Sequence, residues 1–279
     1  MKTDTMVRRK NPMPETISIN PVRYACPKCK RPLSLKENAL QCNECNRIYP
    51  IVGGIPDFVT DNLQARADPN YRWNPIWKLL APMYESGFWQ SFVLGMAGAS
   101  CSSLQSIADF ISQTLEGVTG NVLDVACGPA TYGRRMTSTK RSIYGIDFSM
   151  GTLQQGMKNI RRSGVSNIQL AQSRVEELPF EDAFFNGAIC GGSLHLFPDT
   201  AIALREIART MKAGAPLAVT TFVIGNSLAA RLVKQRKNKN MRTFALTELH
   251  QYLSEAGFEG FAWKQDGTFV TFSTHRAED

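Results

Sequence analysis

The chain has 279 residues, 43% of them hydrophobic and 20% charged, with a formal net charge of +8. That length suits one medium α/β domain plus a small accessory module, and the composition excludes a wholly disordered or fibrous chain. No apolar run reaches the roughly 18 residues of a membrane span, and residues 1–15 lack the apolar segment of a secretory signal, so no membrane span and a cytoplasmic setting are expected, or a plastid one if a presequence has been removed.

Four units are predicted in chain order: a flexible N-terminus over 1–20, a four-cysteine zinc ribbon over 21–60, a helical lid or linker over 61–118, and an α/β domain over 119–279. The first holds a short basic run at 7–10. In the second, Cys26-x-x-Cys29 is followed after twelve residues by Cys42-x-x-Cys45. Each Cys-x-x-Cys turn sets two thiolates on one side of a tight knuckle, and two knuckles supply a closed tetrahedral sulfur shell for Zn²⁺. With all four positions filled by protein, such a metal is structural. Two disulfides, or an iron–sulfur or redox pair, are the alternatives, and a chain without a secretion signal disfavours the disulfides. So small a module buries little apolar surface, and the metal must supply much of its folding energy.

The third unit is rich in aromatics, Tyr71, Trp73, Trp77, Tyr84, Phe88, Trp89 and Phe92, and reads as helical core packing or a lid over a pocket. Its second helix is predicted at 104–115, where apolar residues recur at helical spacing before Gly117 and Gly120.

From residue 121, apolar strands alternate with helical segments, the mark of a doubly wound, mainly parallel seven-stranded sheet. Strands are predicted at 122–126, 142–146, 168–172, 186–191 and 217–222, and helices near 131–136 and at 151–161, 200–211 and 246–256. Two final runs, 258–264 and 268–273, flank a Gly267 turn and read as an antiparallel closing pair. Between 231 and 242 lie six basic residues with no interleaved aromatic, which favours a solvated face over a stacking platform for single-stranded nucleic acid.

The sharpest chemical feature is Val122-Leu123-Asp124-Val125-Ala126-Cys127-Gly128-Pro129-Ala130, a buried strand that ends in small residues just before a helix. In a doubly wound sheet this turn lies at the carboxyl edge, where ligands bind and a helix N-terminus offers free N–H groups. Asp147, ending the next strand, is placed to accept hydrogen bonds from the two hydroxyls of a ribose. A nicotinamide site is disfavoured because the third glycine of G-x-G-x-x-G is missing, and the phosphate loop G-x-x-x-x-G-K-[ST] does not occur.

These residues resemble the class I S-adenosylmethionine-dependent methyltransferases, in particular the branch with the ubiquinone/menaquinone C-methyltransferases, over residues 70–275. The blocks that carry the resemblance are Leu123 to Gly128, Gly145-Ile146-Asp147-Phe148-Ser149, Val175-Glu176-Glu177-Leu178-Pro179-Phe180, and Ala203 to Gly214. The ribbon and the run Gly192-Ser193-Leu194-His195-Leu196-Phe197-Pro198 are similar to plant chloroplast and cyanobacterial members. The resemblance implies S-adenosylmethionine as cofactor and a Rossmann-like fold. It implies that Asp124 orients the first loop, that Gly128 lies beside the methionine moiety, that Ala126, Cys127 and Gly191 also belong to the cofactor site, that Asp147 holds the ribose, that Phe148 packs on adenine, and that Val175 meets adenine through its backbone. Arg174 stands where the family often has an aspartate that accepts a bond from the adenine amino group, and a guanidinium cannot accept one.

His195 follows the fourth strand of the domain, beside the expected methyl group, and is a candidate base or substrate contact; Tyr84 is a second candidate contact. No Asn-Pro-Pro-Tyr-type motif for exocyclic amines follows that strand. A small molecule methylated on oxygen or carbon is therefore the expected acceptor, ahead of rRNA or tRNA. A non-catalytic docking protein with a decayed cofactor site is the other alternative, and the oligomeric state is left open.

Overall fold

The computed structural model describes residues 24–59, 102–223 and 243–278, with a few single positions between 83 and 99. Tyr84, the aromatic stretch around it and both basic clusters lie outside the described residues.

The N-terminal unit is a small antiparallel sheet in the order β1-β2-β3-β4, built from Leu33–Lys36, Ala39–Cys42, Ile48–Val52 and Ile55–Pro56. Helix α1, Leu104–Thr114, follows; the Ser103 hydroxyl accepts from the Ser106 amide at its start, and Ile107, Ala108 and Ile111 face inward at helical spacing.

The larger unit strings β5 (Gly120–Val125), α2 (Gly133–Met136), β6 (Arg141–Asp147), α3 (Met150–Ser163), β7 (Ile168–Gln172), β8 (Gly187–Gly191), α4 (Thr200–Thr210), β9 (Pro216–Phe222), α5 (Leu246–Glu255), β10 (Phe258–Asp266) and β11 (Phe269–Arg276). They form one seven-stranded sheet in the order β10-β11-β9-β8-β5-β6-β7. β7, β6, β5, β8 and β9 run parallel and β11 runs against them, so the fold is the expected doubly wound α/β type. The central strands are apolar but for Asp124 because both faces are covered: Val122, Leu123 and Val125 of β5 and Ala188 and Ile189 of β8 are each 0% exposed. Burying such a Leu or Val contributes about 1.5 to 3 kcal/mol. The helices start at local caps, Ser149 for α3 and Asp199 for α4, and Gly164 in a left-handed conformation ends α3.

Most boundaries fall close to the sequence expectation, but the closing pair is longer. β11 continues through Thr274, His275 and Arg276, and Thr274 and His275 pair with Leu217 and Pro216 of β9. Their polar side chains conceal the strand from a hydrophobicity pattern, although the backbone pairing continues.

The two units share one core. Tyr24 stacks on Phe180 at 5.6 Å and lies 5.6 Å from Phe58, which meets Tyr49 at 5.0 Å. Behind them Tyr144, Phe180, Phe184 and Phe185 make edge-on contacts. At the outer edge of β7, Asp57 forms a parallel bridge with Gln172, and the Phe58 amide donates to the Gln172 carbonyl at 2.9 Å. The ribbon thereby covers backbone groups that an edge strand would leave open.

Candidate cofactor site and metal centre

Between β5 and α2 the chain runs through Ala126, Gly128 and Ala130, whose φ angles of 51°, 53° and 60° are all left-handed. This alternation turns the chain sharply at the carboxyl edge of the sheet, and two of the three positions carry a methyl group where glycine would be unstrained. No described residue lies within 4 Å of where a side chain at Gly128 would begin, so a ligand can approach its backbone.

Asp147, the last residue of β6, anchors this turn. Its Oδ2 accepts from the Gly128 amide at 2.9 Å, and its Oδ1 accepts from the Ser149 amide at 2.7 Å and the Thr152 hydroxyl at 3.1 Å. Burial raises its pKa, against the pull of those donors. Asp124, from β5, accepts from the Gly133 amide at 3.1 Å and so ties the start of α2 to the strand. Burial pushes its pKa up to about 7; the Gly133 hydrogen bond opposes the shift and the negative Asp147 adds to it.

Cys127 turns its thiol back over β6, so that a side chain at Gly145 would begin 2.8 Å from Sγ. Its amide donates to the Ile146 carbonyl at 2.9 Å, and burial holds its thiol well above the ordinary range, which makes it a packing residue of the turn. Gly191, ending β8, lies under the Tyr132 ring, which would come within 2.4 Å of an added Cβ. Phe148 follows Asp147, and Gln172 Nε2 donates to its carbonyl at 2.9 Å. Val175 is buried at the start of a 3₁₀ turn, Val175–Glu177. Arg174, just before it, pairs through Nε with Glu176 at 3.4 Å.

His195 lies in the short turn Leu194–Leu196 after β8, 5% exposed, with Nδ1 3.3 Å from Thr221 Oγ1 of β9 and its ring edge-on to Phe222 at 4.9 Å. Burial lowers its pKa to about 4, so the imidazole is neutral near pH 7. The predicted residues thus lie at the carboxyl ends of β7, β6, β5 and β8, with Tyr84 outside the described residues. Sequence reasoning missed Tyr132, Thr221 and Gln172, since each acts on a predicted residue through a contact that no local motif records.

In the ribbon, the four sulfurs of Cys26, Cys29, Cys42 and Cys45 all lie within 4.8 Å of one another. The distances 3.6 Å for Cys26–Cys45, 3.3 Å for Cys29–Cys42 and 3.8 Å for Cys29–Cys45 approach the roughly 3.8 Å edge of a tetrahedron with 2.3 Å zinc–sulfur bonds. A disulfide would need about 2 Å, and no disulfide joins the described cysteines. Four sulfurs at these separations fit a structural zinc ion. The Tyr49 hydroxyl lies 3.2 Å from Cys26 Sγ, a second contact that orients a ligand.

A model described as "Methyltransferase domain" matches residues 118–271, and one described as "Trm112p-like protein" matches residues 25–54. An uncharacterized chloroplastic methyltransferase of Arabidopsis thaliana is 23% identical over 91% of this chain and 78% of its own length. A demethylmenaquinone methyltransferase of Listeria welshimeri is 35% identical over 101 residues, 35% of this chain and 43% of that protein. Among solved structures, Haemonchus contortus phosphoethanolamine N-methyltransferase 2 in complex with S-adenosyl-L-methionine matches 72% of this chain and 60% of that one, with a TM-score of 0.58 and 13% identity, a likeness of fold. With a domain model matched over more than half its length, and with the turn and acidic strand end in register on the expected sheet, this chain belongs to the S-adenosylmethionine-dependent methyltransferases and carries a Trm112p-like zinc ribbon ahead of its catalytic domain.

Proposed function

We propose that this enzyme transfers a methyl group to an oxygen or carbon atom of a small molecule, with residues 119–279 as the catalytic domain. The observation that carries the reading is the Asp147 carboxylate bonded to Gly128 across the ends of β5 and β6. A carboxylate there meets ribose hydroxyls on one side and steadies the loop beside the methionine moiety on the other. Val175 would meet the adenine through its backbone, Phe148 would pack on it, and Arg174, turned to Glu176, would border it.

Bound S-adenosylmethionine supplies an electrophilic methyl carbon. The protein's part is to align an acceptor in line with the breaking bond and to exclude water. His195, neutral and tied to Thr221, is suited to orient an acceptor hydroxyl by hydrogen bonding rather than to hold its proton, and a permanently positive group there would repel the sulfonium. The chain after β8 reads Gly191-Gly192-Ser193-Leu194-His195, with no amide or carbonyl pair of the kind that grips an exocyclic amine. The Listeria relative's name, a demethylmenaquinone methyltransferase, supports a small aromatic or quinol acceptor. A cytosolic or plastid setting is proposed, the latter from the chloroplastic Arabidopsis relative.

Calorimetric titration of the zinc-loaded protein with S-adenosylmethionine and with S-adenosylhomocysteine tests the site. Saturable binding that weakens at least tenfold in Asp147→Ala is expected, a loss of about 1.4 kcal/mol or more for hydrogen bonds to a charged group. Acceptors are then screened with labelled cofactor. Turnover of purified rRNA or tRNA with no transfer to phenols or quinols would overturn the small-molecule reading, and no cofactor binding at all would favour a docking protein.

A further inference from the structure

The backbone of the segment that bears Arg174 and Val175 is held from outside the sheet. Leu178, which closes the 3₁₀ turn, donates its amide to Glu206 Oε1 of α4 at 2.9 Å. Its carbonyl accepts from Lys30 Nζ and from Arg209 Nη2, each at 3.4 Å. Lys30 Nζ also meets Glu206 Oε1 at 2.5 Å, with side chains 32% and 12% exposed. Arg209 grips the same carboxylate at 2.7 and 2.8 Å and reaches the Phe180 carbonyl at 3.0 Å. One residue on, the Ala25 amide donates to the Pro179 carbonyl at 2.9 Å.

Lys30 is also part of the first metal knuckle. It directly follows Cys29, its amide donates to the Cys26 carbonyl at 2.8 Å, and its φ of 57° is the left-handed turn that closes the Cys-x-x-Cys loop. The sulfur shell therefore fixes the backbone from which the Lys30 side chain reaches Leu178 and Glu206.

We infer that Lys30 is a positioning residue for the adenine side of the cofactor, acting through Glu206 and Leu178, so that metal loading of the four-cysteine shell sets cofactor affinity. The inference rests on the reading of Val175 as the adenine-contacting residue. The metal site reaches the segment 174–178 through Lys30, so a metal bound in the shell biases the geometry offered to the cofactor. Lys28, two residues earlier, pairs with Glu177 at 2.6 Å, but those side chains are 41% and 34% exposed, and a screened surface pair contributes little. It serves as an internal control.

S-adenosylhomocysteine is titrated calorimetrically into zinc-loaded wild type, Lys30→Met, Lys30→Arg and Lys28→Ala, with zinc content and circular dichroism measured on each. Lys30→Met keeps the aliphatic stem and removes the charge. Its dissociation constant is expected to rise about fivefold or more with zinc retained, with Lys30→Arg restoring most of the loss and Lys28→Ala staying within about twofold. Stripping zinc from the wild type should weaken binding at least as much as Lys30→Met does, and zinc added back should restore it. Wild-type affinity in either zinc-loaded Lys30→Met or zinc-stripped wild type would overturn this inference alone. No binding by zinc-loaded wild type would instead overturn the cofactor reading, and the inference with it.

Discussion

Ala126 holds a left-handed φ of 51° directly after β5, and the consequence is measurable. A Cβ in that conformation costs about 1 to 2 kcal/mol, which Ala126→Gly removes. Against this, glycine frees the unfolded chain at a cost of about 0.4 to 1 kcal/mol. The partly buried methyl, packed on the core, contributes about half of the roughly 0.8 kcal/mol of a fully buried carbon. The net is a gain of about 0.5 kcal/mol. Ala171, fully buried within β7, provides the contrast. Ala171→Gly loses the whole methyl and adds a flexible residue to a strand, for a loss of about 1.5 kcal/mol. The two variants should therefore differ by about 2 kcal/mol, or roughly 4 to 8 °C in Tm for a domain of this size. Differential scanning calorimetry on zinc-loaded protein reads this directly. If Ala126→Gly melts as low as Ala171→Gly, the turn is not strained and the argument fails.

Further expectations concern the buried acids, the histidine and the metal. Asp124 has a folded pKa near 7, above the value of an ordinary aspartate, so its contribution favours the fold at low pH and is lost as pH rises from about 4 through 7. Asp124→Asn, which keeps an acceptor for Gly133, should gain on wild type by up to about 4 kcal/mol between pH 4 and 8, followed by urea unfolding; a pH-independent difference would contradict the assigned burial. His195 shifts the other way. Its folded pKa near 4 lies below the unfolded value, so its contribution is complete above about pH 6.5 and falls as the solution is acidified toward 4. Wild type should lose roughly 2 kcal/mol more than His195→Gln between pH 7 and 5, and equal losses would place the imidazole in water. Chelation should make four thiols, Cys26, Cys29, Cys42 and Cys45, newly reactive toward an aromatic disulfide reagent while buried Cys127 and Cys190 stay protected; simultaneous reaction of Cys127 would mean that the ribbon and the sheet unfold as one.

Much of the fold was legible because the central strands carry their burial in their own residues. Apart from Asp124, Val122 to Val125 and Gly187 to Gly191 are apolar on both faces, and no tertiary contact is needed to recognise them. The metal shell was legible for a similar reason, since two Cys-x-x-Cys turns encode their geometry locally. The left-handed Ala126 and Ala130 escaped notice as strained, because a small side chain conceals a conformation that glycine would advertise. Cys127 was expected beside the cofactor; only the packing of β6 shows its thiol directed at Gly145. The clamp on Leu178 was beyond local reading altogether, because Lys30 and Glu206 stand 176 positions apart.

That separation also has a consequence in time. At the roughly 5 to 20 residues per second of synthesis, about 10 to 35 seconds pass between the emergence of Lys30 and that of Glu206. A ribbon that has taken up its metal on the ribosome waits through that interval with Tyr24 and Phe58 lacking the Phe180 ring and β7 edge they later cover. Nascent chains of this protein thus hold an uncovered aromatic surface for about half of their translation, while the residues from Phe58 to Phe180 are added.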